Sequence, residues 1–275
     1  MNIKNEQFKD ILLKYPEQDD KMLIAKIFDK IQFLTHRNEI QISNFLDERQ
    51  QMIVENMLKS ICISNYILDG AYDEAERKIL LLFPEKLSNI LENQKLKILN
   101  QQLDVISIEL PNDLIGQYQH KNYLSAIIKI GIVREKVGDI LVRENGADLI
   151  VKKEVSTYIK DEFSKLTRFQ KANIEMKTIE ELQQVEKKRE IINILIPQLR
   201  LDCIITELLH ISRSKANEII DQERVSINYT VKTKSATIIK ENDILTIRGK
   251  GKYKIGNIIG TSAKGKIRLQ IEKYV

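Results

Sequence analysis

The chain has 275 residues, with 44 Lys and Arg against 39 Asp and Glu and a formal net charge of +5. It contains no apolar run close to the ~18 residues that a membrane span needs, and it opens without the apolar stretch of a secretory signal. We therefore expect a cytoplasmic protein without membrane contact. None of its three histidines has a Cys or His at ligand spacing, which argues against a metal site. Cys62 and Cys203 are expected to be reduced, buried thiols.

Positive charge is concentrated near the carboxy terminus. From Pro197 to Val275 there are 15 Lys and Arg and 8 Asp and Glu, a net charge of +7. The other 196 residues hold 29 basic and 31 acidic side chains, a net charge of −2. This asymmetry indicates a polyanionic partner, with RNA or DNA ahead of a membrane surface.

Residues 1–78 show apolar positions at helical spacing, among them Met22, Ile27 and Ile31, and no strand-like run. They predict a helical amino-terminal domain. Ser43 or Asn44 is the expected cap of a helix that begins at Phe45.

Residues 79–179 alternate between strand and helix signals and predict a central α+β domain with one sheet, similar to many small RNA-binding folds. Asn145-Gly146 is expected to form the turn of a hairpin with positive φ values, and Gly131 is expected to end a helix. The expected elements are strands at 79–83, 103–110 and 174–177, helices at 120–129 and 155–166, and a hairpin over 140–152.

Residues 180–196 are charged and predict a helical connector. In residues 197–275, Leu201, Ile204 and Leu208 place an apolar stripe on a first helix, and Ser212 is positioned to cap a second. Strands are expected at 225–228, 237–239 and 244–247, continued by a basic ribbon over 248–254. The predicted fold class is α+β, with several domains.

Residues from about 199 to 250 resemble the S-four RNA-binding domain, named after a small-subunit ribosomal protein. The resemblance rests on Arg200-Leu201-Asp202, on a second helix with Arg213 and Ala216, and on a closing Val225-Ser226-Ile227-Asn228. Two residues depart from the family pattern. Glu223 and Tyr229 stand where that family often has glycine, and Glu223 could force a different turn.

The whole chain resembles the YlmH family of bacterial proteins. The motifs that carry this resemblance are 45–50, 75–78, 120–124, 131–140 and 249–253. The resemblance implies a helical amino-terminal domain, a central RNA-recognition-like domain and an S-four domain that binds the large ribosomal subunit. It also implies a role in handling obstructed subunits that still carry peptidyl-tRNA.

The resemblance makes Arg200 and Arg213 the best candidates for RNA contact. The full set of candidate RNA-binding residues is Arg200, Arg213, Lys215, Asn217, Arg224, Asn228, Arg248, Lys250, Lys252 and Lys254. A second candidate RNA contact in the central domain comprises His120, Lys121, Arg134 and Lys136. For the charged residues the alternative is a solvated surface, and Arg200 could instead pair with Asp202.

The favoured function is a non-enzymatic factor that binds ribosomal RNA of the large subunit, and direct contact with peptidyl-tRNA is left open. We expect a monomer without a cofactor. Gly249-x-Gly251 lacks the third glycine and the helix of a dinucleotide loop. The alternatives are an RNA-modifying enzyme similar to pseudouridine synthases, with Asp202 as its catalytic residue, and a cell-division scaffold. Asp202 is more simply a helix-start carboxylate.

Overall fold

The computed structural model describes residues 5–182 and 189–274, and the chain divides into two compact units, 1–185 and 186–275. Both units combine helices with antiparallel sheets, so the predicted α+β class is confirmed. Within the described ranges, no helix has both the length and the apolar character needed to cross a bilayer.

The first part of unit 1 is a three-stranded antiparallel sheet covered by helices, with strand order β1-β3-β2. Buried apolar side chains on the helices, such as Ile24 and Ile53, pack against Leu80 and Leu82 of the sheet. The elements are α1 (Asn5–Lys14), α2 (Gln18–Arg37), β1 (Gln41–Leu46), α3 (Glu48–Ser60), β2 (Tyr66–Asp69) and β3 (Lys78–Leu82).

The prediction that residues 1–78 lack strands is wrong, because β1 and β2 lie there. β2 has only four residues, and the pairing of β1 is interrupted between Ile42 and Phe45, so neither strand shows a sustained alternation. Ser43 and Asn44 lie in β1 and do not cap a helix. Asp47 caps α3 instead, accepting from the Gln50 main chain at 2.8 Å while Asp47 N donates to the Gln50 side chain at 2.9 Å.

The second part of unit 1 is a four-stranded antiparallel sheet with strand order β5-β6-β4-β7. Its β-α-β-β-α-β chain order is the split βαβ arrangement. The elements are α4 (Ser88–Gln102), β4 (Leu103–Glu109), α5 (His120–Lys129), β5 (Val137–Arg143), β6 (Gly146–Lys152), α6 (Lys153–Lys165) and β7 (Asn173–Lys177). The strands at 103–110 and 174–177, both helices and the hairpin are confirmed within a few residues, whereas α4 was not predicted.

The hairpin turn differs in detail from the prediction. Arg143 pairs with Gly146, so Glu144 and Asn145 form the turn, and neither has a positive φ. Gly146 belongs to β6, where a Cβ atom would lie 1.8 Å from the main-chain oxygen of Ile108. The glycine is therefore required by the close approach of β4 and by its own positive φ of 156°.

The two sheets of unit 1 share a hydrophobic core. Phe45, Ile79 and Leu81 from the first sheet pack with Leu103 and Ile150 of the second. Because β3 belongs to the first sheet, the expected domain boundary between residues 78 and 79 falls inside a strand. The sheet face opposite α5 and α6 is thus partly covered within unit 1.

Unit 2 packs two helices against a six-stranded sheet with order β10-β9-β11-β12-β13-β8. Leu201, Ile204, Ala216, Ile219 and Ile220 are buried in its core, as predicted. The elements are β8 (Arg189–Ile196), α7 (Leu201–Leu209), α8 (Arg213–Asp221), β9 (Val225–Ile227), β10 (Thr230–Val231), β11 (Ile244–Ile247), β12 (Gly251–Thr261) and β13 (Ile267–Tyr274).

The helical connector predicted over 180–196 is wrong where the structure describes it. Residues 179–181 form a single 3-10 turn, 189–196 form strand β8, and 183–188 lie outside the described residues. β8 forms an antiparallel pair with β13, which lies more than 70 residues later in the chain. The local pattern of charged residues gives no sign of this pairing.

Two smaller predictions also need correction. The strand expected over 237–239 is reduced to a single bridge between Ile238 and Arg200. Cys62 is exposed in the turn after α3, whereas Cys203 is buried as expected.

Candidate nucleic-acid interface

Asp202 organises the start of α7 together with two arginines. Arg200 donates to its carboxylate from Nε at 3.0 Å and from Nη2 at 2.9 Å. Arg213, at the start of α8, donates to Oδ2 from Nε at 2.9 Å and from Nη2 at 2.6 Å. One carboxylate therefore fixes guanidinium groups from two helices in a single cluster.

The carboxylate of this cluster is buried, while its arginines reach the surface. The Asp202 side chain is 1% exposed, that of Arg200 is 27% exposed and that of Arg213 is 59% exposed. Burial alone would raise the pKa of Asp202, but the hydrogen bonds from Arg200 and Arg213 outweigh it and hold this pKa below its ordinary value. The arrangement thus presents Arg213 to solvent in a fixed orientation, and Arg200 also pairs with Asp202, as the alternative interpretation expected.

Glu223 lies in the turn after α8, in a backbone conformation that glycine adopts more easily. Its φ is 57°, in the left-handed region, and its main-chain nitrogen donates to Ile220 O at 3.0 Å. Arg224 N then donates to Ile219 O at 3.3 Å. The departure at position 223 therefore places a non-glycine residue in a strained backbone conformation.

Asn228 and Tyr229 form the tight turn between β9 and β10. Both have positive φ values, 47° and 62°, as a two-residue hairpin of this type requires. The Asn228 amide donates to Asp243 at 2.7 Å and accepts from Ile244 N at 2.8 Å. Its side chain thus has a structural role, and its assignment to RNA contact stays a prediction.

Four of the predicted basic residues lie around the helix α8 and the turn between β11 and β12. Lys215 is 60% exposed and lies 3.3 Å from Glu218. Arg224 is half-buried and donates to Arg248 O at 3.0 Å, whereas the Arg248 and Lys250 side chains are exposed. Because Lys215, Arg248 and Lys250 are exposed, their side chains can reach a ligand.

The remaining predicted residues of unit 2 are less exposed. Lys252 lies over the rings of Tyr229 and Tyr274, at 5.6 and 4.9 Å from their centroids. Lys254 is half-buried opposite Ile244. Asn217 is also half-buried, and its Oδ1 has no hydrogen-bond partner among the described residues. Sequence reasoning singled out no role for the exposed basic residues Lys234, Lys240, Lys264, Lys266 and Arg268, which only the charge count could have indicated.

In unit 1, the second predicted set divides into exposed and internally bonded residues. His120 and Lys121 are exposed at the start of α5. Partial desolvation and the neighbouring charge of Arg134 lower the pKa of His120. Arg134 itself donates to Val137 O at 2.6 Å and Gly138 O at 2.8 Å, and Lys136 contacts Asn44 and Glu154. Arg134 and Lys136 therefore help hold unit 1 together.

Asp139 is the centre of a polar joint between the two sheets of unit 1. It accepts from the Tyr72 hydroxyl at 2.6 Å, Glu76 N at 2.8 Å and Arg77 N at 3.1 Å. Arg77 also donates to Val137 O at 3.0 Å. The motifs at 75–78 and 131–140, which carry the family resemblance, meet here, so their immediate role is structural.

Burial affects the cations of unit 1. Burial and then the charge of Arg77 lower the pKa of Arg134 to about 10. The pKa of Lys152 is lowered to about 8, mainly by burial and also by the charges of Lys136 and Lys30, against the opposing effect of Glu154. Lys152 is 7% exposed and donates to Ser43 O at 3.4 Å.

The central sheet lacks the side chains that stack on bases in RNA-recognition folds. β4 and β6 contain no aromatic residue. Ser107 and the fully buried Asp148 are instead bonded to Arg143, at 3.3 and 2.8 Å, and Lys177 donates to Ser107 at 3.1 Å. No group of three or more His, Cys, Asp or Glu in the described ranges could hold a metal ion.

Comparison with known proteins gives two domain matches. Residues 85–183 match the model described as "Putative RNA-binding domain in YlmH", and residues 199–245 match the S4 domain. The chain is 26% identical over 258 residues to "Ribosome-associated protein quality control protein P2" of Bacillus subtilis (strain 168), covering 93% of this chain and 96% of that protein.

A solved structure, "Cell division protein ylmH from Streptococcus pneumoniae", matches 61% of this chain and 96% of its own length, with 16% identity and a TM-score of 0.46. The domain models and the Bacillus subtilis relative agree with the resemblance that the sequence motifs indicated. The predicted resemblance to the YlmH family is therefore confirmed at the level of domains: a match to the YlmH RNA-binding domain over residues 85–183 is followed by a match to the S4 domain over 199–245.

Proposed function

We propose that this chain is a non-enzymatic, cytoplasmic factor that binds ribosomal RNA of the large subunit as a monomer. In this proposal it acts in ribosome-associated quality control, on obstructed subunits that still carry peptidyl-tRNA. The name of the Bacillus subtilis relative supports the process, and the S4 match supports RNA as the ligand.

The observation that carries the proposal is the cluster of Arg200, Asp202 and Arg213. A buried carboxylate fixes the two guanidinium groups. Because the Arg213 side chain is already ordered, binding a phosphate costs it less conformational entropy. The net charge of +7 on residues 197–275 adds a general attraction for RNA. Fixed arginines and diffuse charge together fit a folded RNA, which is recognised by shape and backbone contacts.

The same cluster weakens the enzyme alternative. A catalytic Asp of a base-modifying enzyme must reach the base, whereas Asp202 is 1% exposed and its oxygens are bonded to Arg200, Arg213 and Cys203 N. Neither matched domain model nor the curated relative carries the name of an enzyme.

The proposal is tested by fractionating extracts from cells with stalled translation on a density gradient. We expect the full chain in the large-subunit peak together with tRNA, and an Arg213→Gln variant shifted to the free fraction. Gln270→Ala, a change of a half-buried neutral residue on β13, is the control and should migrate like the unmodified chain. Recovery of the chain mainly on intact ribosomes or small subunits would contradict the proposal.

A further inference from the structure

Unit 2 has a cavity beside α8 that the Asp202 cluster does not use. Its volume is about 340 Å³, and the apolar side chains of Leu209, Ile211 and Ile219 contribute to its lining. This volume lies near the lower end of the roughly 300–1,000 Å³ range of ligand pockets. The cavity is therefore suited to a group that is small and partly apolar.

Three cations also line this cavity. Lys215 comes from α8, Arg224 from the strand entry after α8, and Lys250 from the turn between β11 and β12. Glu218 is the one acidic residue in the lining, so the described lining carries a net charge of +2. An apolar lining combined with excess positive charge fits a ligand that joins an apolar ring to an anion.

The cavity also offers hydrogen-bonding groups beside its apolar side chains. Gln222 donates to Glu218 at 3.2 Å, and Glu218 also pairs with Lys215 at 3.3 Å. Both Glu218 and Gln222 are exposed enough to turn toward a ligand. A nucleobase presents donors and acceptors on its edges and an apolar face, and an unstacked base is held by aromatic or apolar side chains.

We infer that this cavity takes a single unpaired nucleotide of the bound RNA, with its base against Leu209, Ile211 and Ile219 and its phosphates near Lys215, Arg224 and Lys250. This inference rests on the proposed function and deepens it. The S4 unit then recognises a bulged or looped nucleotide as well as the backbone of a folded RNA. Base-paired RNA would not fill the cavity, because its bases remain stacked within the helix.

The test compares three RNA hairpins at one salt concentration. One carries a single unpaired 2-aminopurine, the second an abasic residue at the same bulge, and the third is fully paired. The full chain should bind the first about tenfold more tightly than the second, as expected when one base is buried against apolar side chains. The fluorescence of 2-aminopurine should rise on binding, because the base leaves its stacked neighbours.

Gln222→Trp fills the cavity from an exposed position and should abolish the preference for the unpaired base. Asn193→Trp, on the exposed face of β8, is the matched control and should keep the preference. Equal binding of the bulged and abasic hairpins by the unmodified chain would overturn the inference while leaving the proposed function intact. A retained preference in Gln222→Trp would also overturn it, and failure of the chain to bind any hairpin would overturn both.

Discussion

The two compact units of this protein use positive charge differently. In unit 1, Arg77 and Arg134 donate to main-chain carbonyls, and the 9% exposed side chain of Arg143 pairs with a buried carboxylate. In unit 2, Arg213 and Lys215 keep 59% and 60% of their side chains exposed even though each pairs with an acid. A count of charged residues does not distinguish these two roles. Whether a Lys or Arg stabilises the fold or can contact a ligand depends on its bonding partner and on how deeply its side chain is buried.

The largest expected effect comes from the joint of unit 1. Asp139→Ala removes the acceptor of Tyr72, Glu76 N and Arg77 N and leaves these donors half-buried without it. We expect a loss of about 3 kcal/mol or more in the free energy of unfolding, at ~1–3 kcal/mol per unsatisfied group. Denaturant unfolding of the full chain measures it. The exposed Asp113→Ala is the control, and a loss under 1 kcal/mol for Asp139→Ala would refute a structural role for the joint.

Lys152→Met should stabilise unit 1 at neutral pH. Because the folded pKa of Lys152 is about 8, below its ordinary 10.5, the unfolded chain binds more protons between these values and stability rises with pH there. Below pH 8 the buried charge imposes its full cost, on the order of 1–3 kcal/mol. The gain from the substitution should thus be full at pH 7 and shrink by pH 10.

Thermal unfolding at both pH values, with the exposed Lys129→Met as control, checks this. A destabilised Lys152→Met variant at pH 7 would show instead that the contact of Lys152 with Ser43 O outweighs the cost of burying its charge.

Asp202→Asn tests whether RNA binding depends on the fixed orientation of Arg200 and Arg213 or only on their positive charge. It removes the charge that holds Arg200 and Arg213, and we expect a loss of about 2 kcal/mol in the stability of unit 2 at pH 7. The folded pKa of Asp202 is depressed, so its contribution is present above the ordinary pKa near 3.8 and is lost as pH falls through the folded value.

The Asp202→Asn variant should therefore differ least from the unmodified chain in acid, which unfolding measured from pH 7 down to pH 2 can show. RNA binding should weaken although the net positive charge increases. Tighter binding would mean that diffuse charge matters more than fixed orientation.

Glu223→Gly has the smallest expected effect. The left-handed φ of 57° costs a non-glycine residue about 1 kcal/mol, which glycine avoids apart from its greater entropy loss on folding. We expect a stabilisation of about 0.5 kcal/mol with unchanged affinity for RNA. Calorimetry and a binding titration of the same preparation check both parts. A clear change in affinity would show that Glu223 acts on the ligand.

The sequence predicted the helices of unit 2 better than the strand pairings of either unit. In α7 and α8 the apolar stripe and the cap at Ser212 are local signals, and the structure has both. The pairings of β1 with β3 and of β8 with β13 join segments that are distant in sequence. The bulge in β1 interrupts its alternating pattern, and the charged residues before β8 suggested a helix instead of a strand. Local patterns thus indicate helices more reliably than strands whose partners lie far along the chain.

The candidate site was only partly predictable for a similar reason. Arg200 and Arg213 were found from motif positions, but their shared carboxylate was not, because Asp202 meets Arg213 only when α7 and α8 pack together. Arg134 and Lys136 were predicted as a surface contact, and their bonds to main-chain and side-chain partners depend on the packing of the two sheets. The bonding partner of a charged side chain depends on the tertiary structure and cannot be read from the local sequence.

We propose that the cations of unit 2 supply the contacts with RNA phosphates. Salt dependence tests it directly, with the full chain titrated on a folded ribosomal RNA fragment over a range of salt concentrations. Two triple variants are compared: Arg213→Gln, Lys215→Gln and Lys250→Gln in unit 2, and Lys97→Gln, Lys129→Gln and Lys171→Gln on the surface of unit 1. We predict that the unit 2 variant lowers the slope of log K against log salt by about 0.7–0.9 for each phosphate that the protein no longer neutralises. The unit 1 variant should leave that slope unchanged, and an equal or larger reduction in the unit 1 variant would contradict the claim.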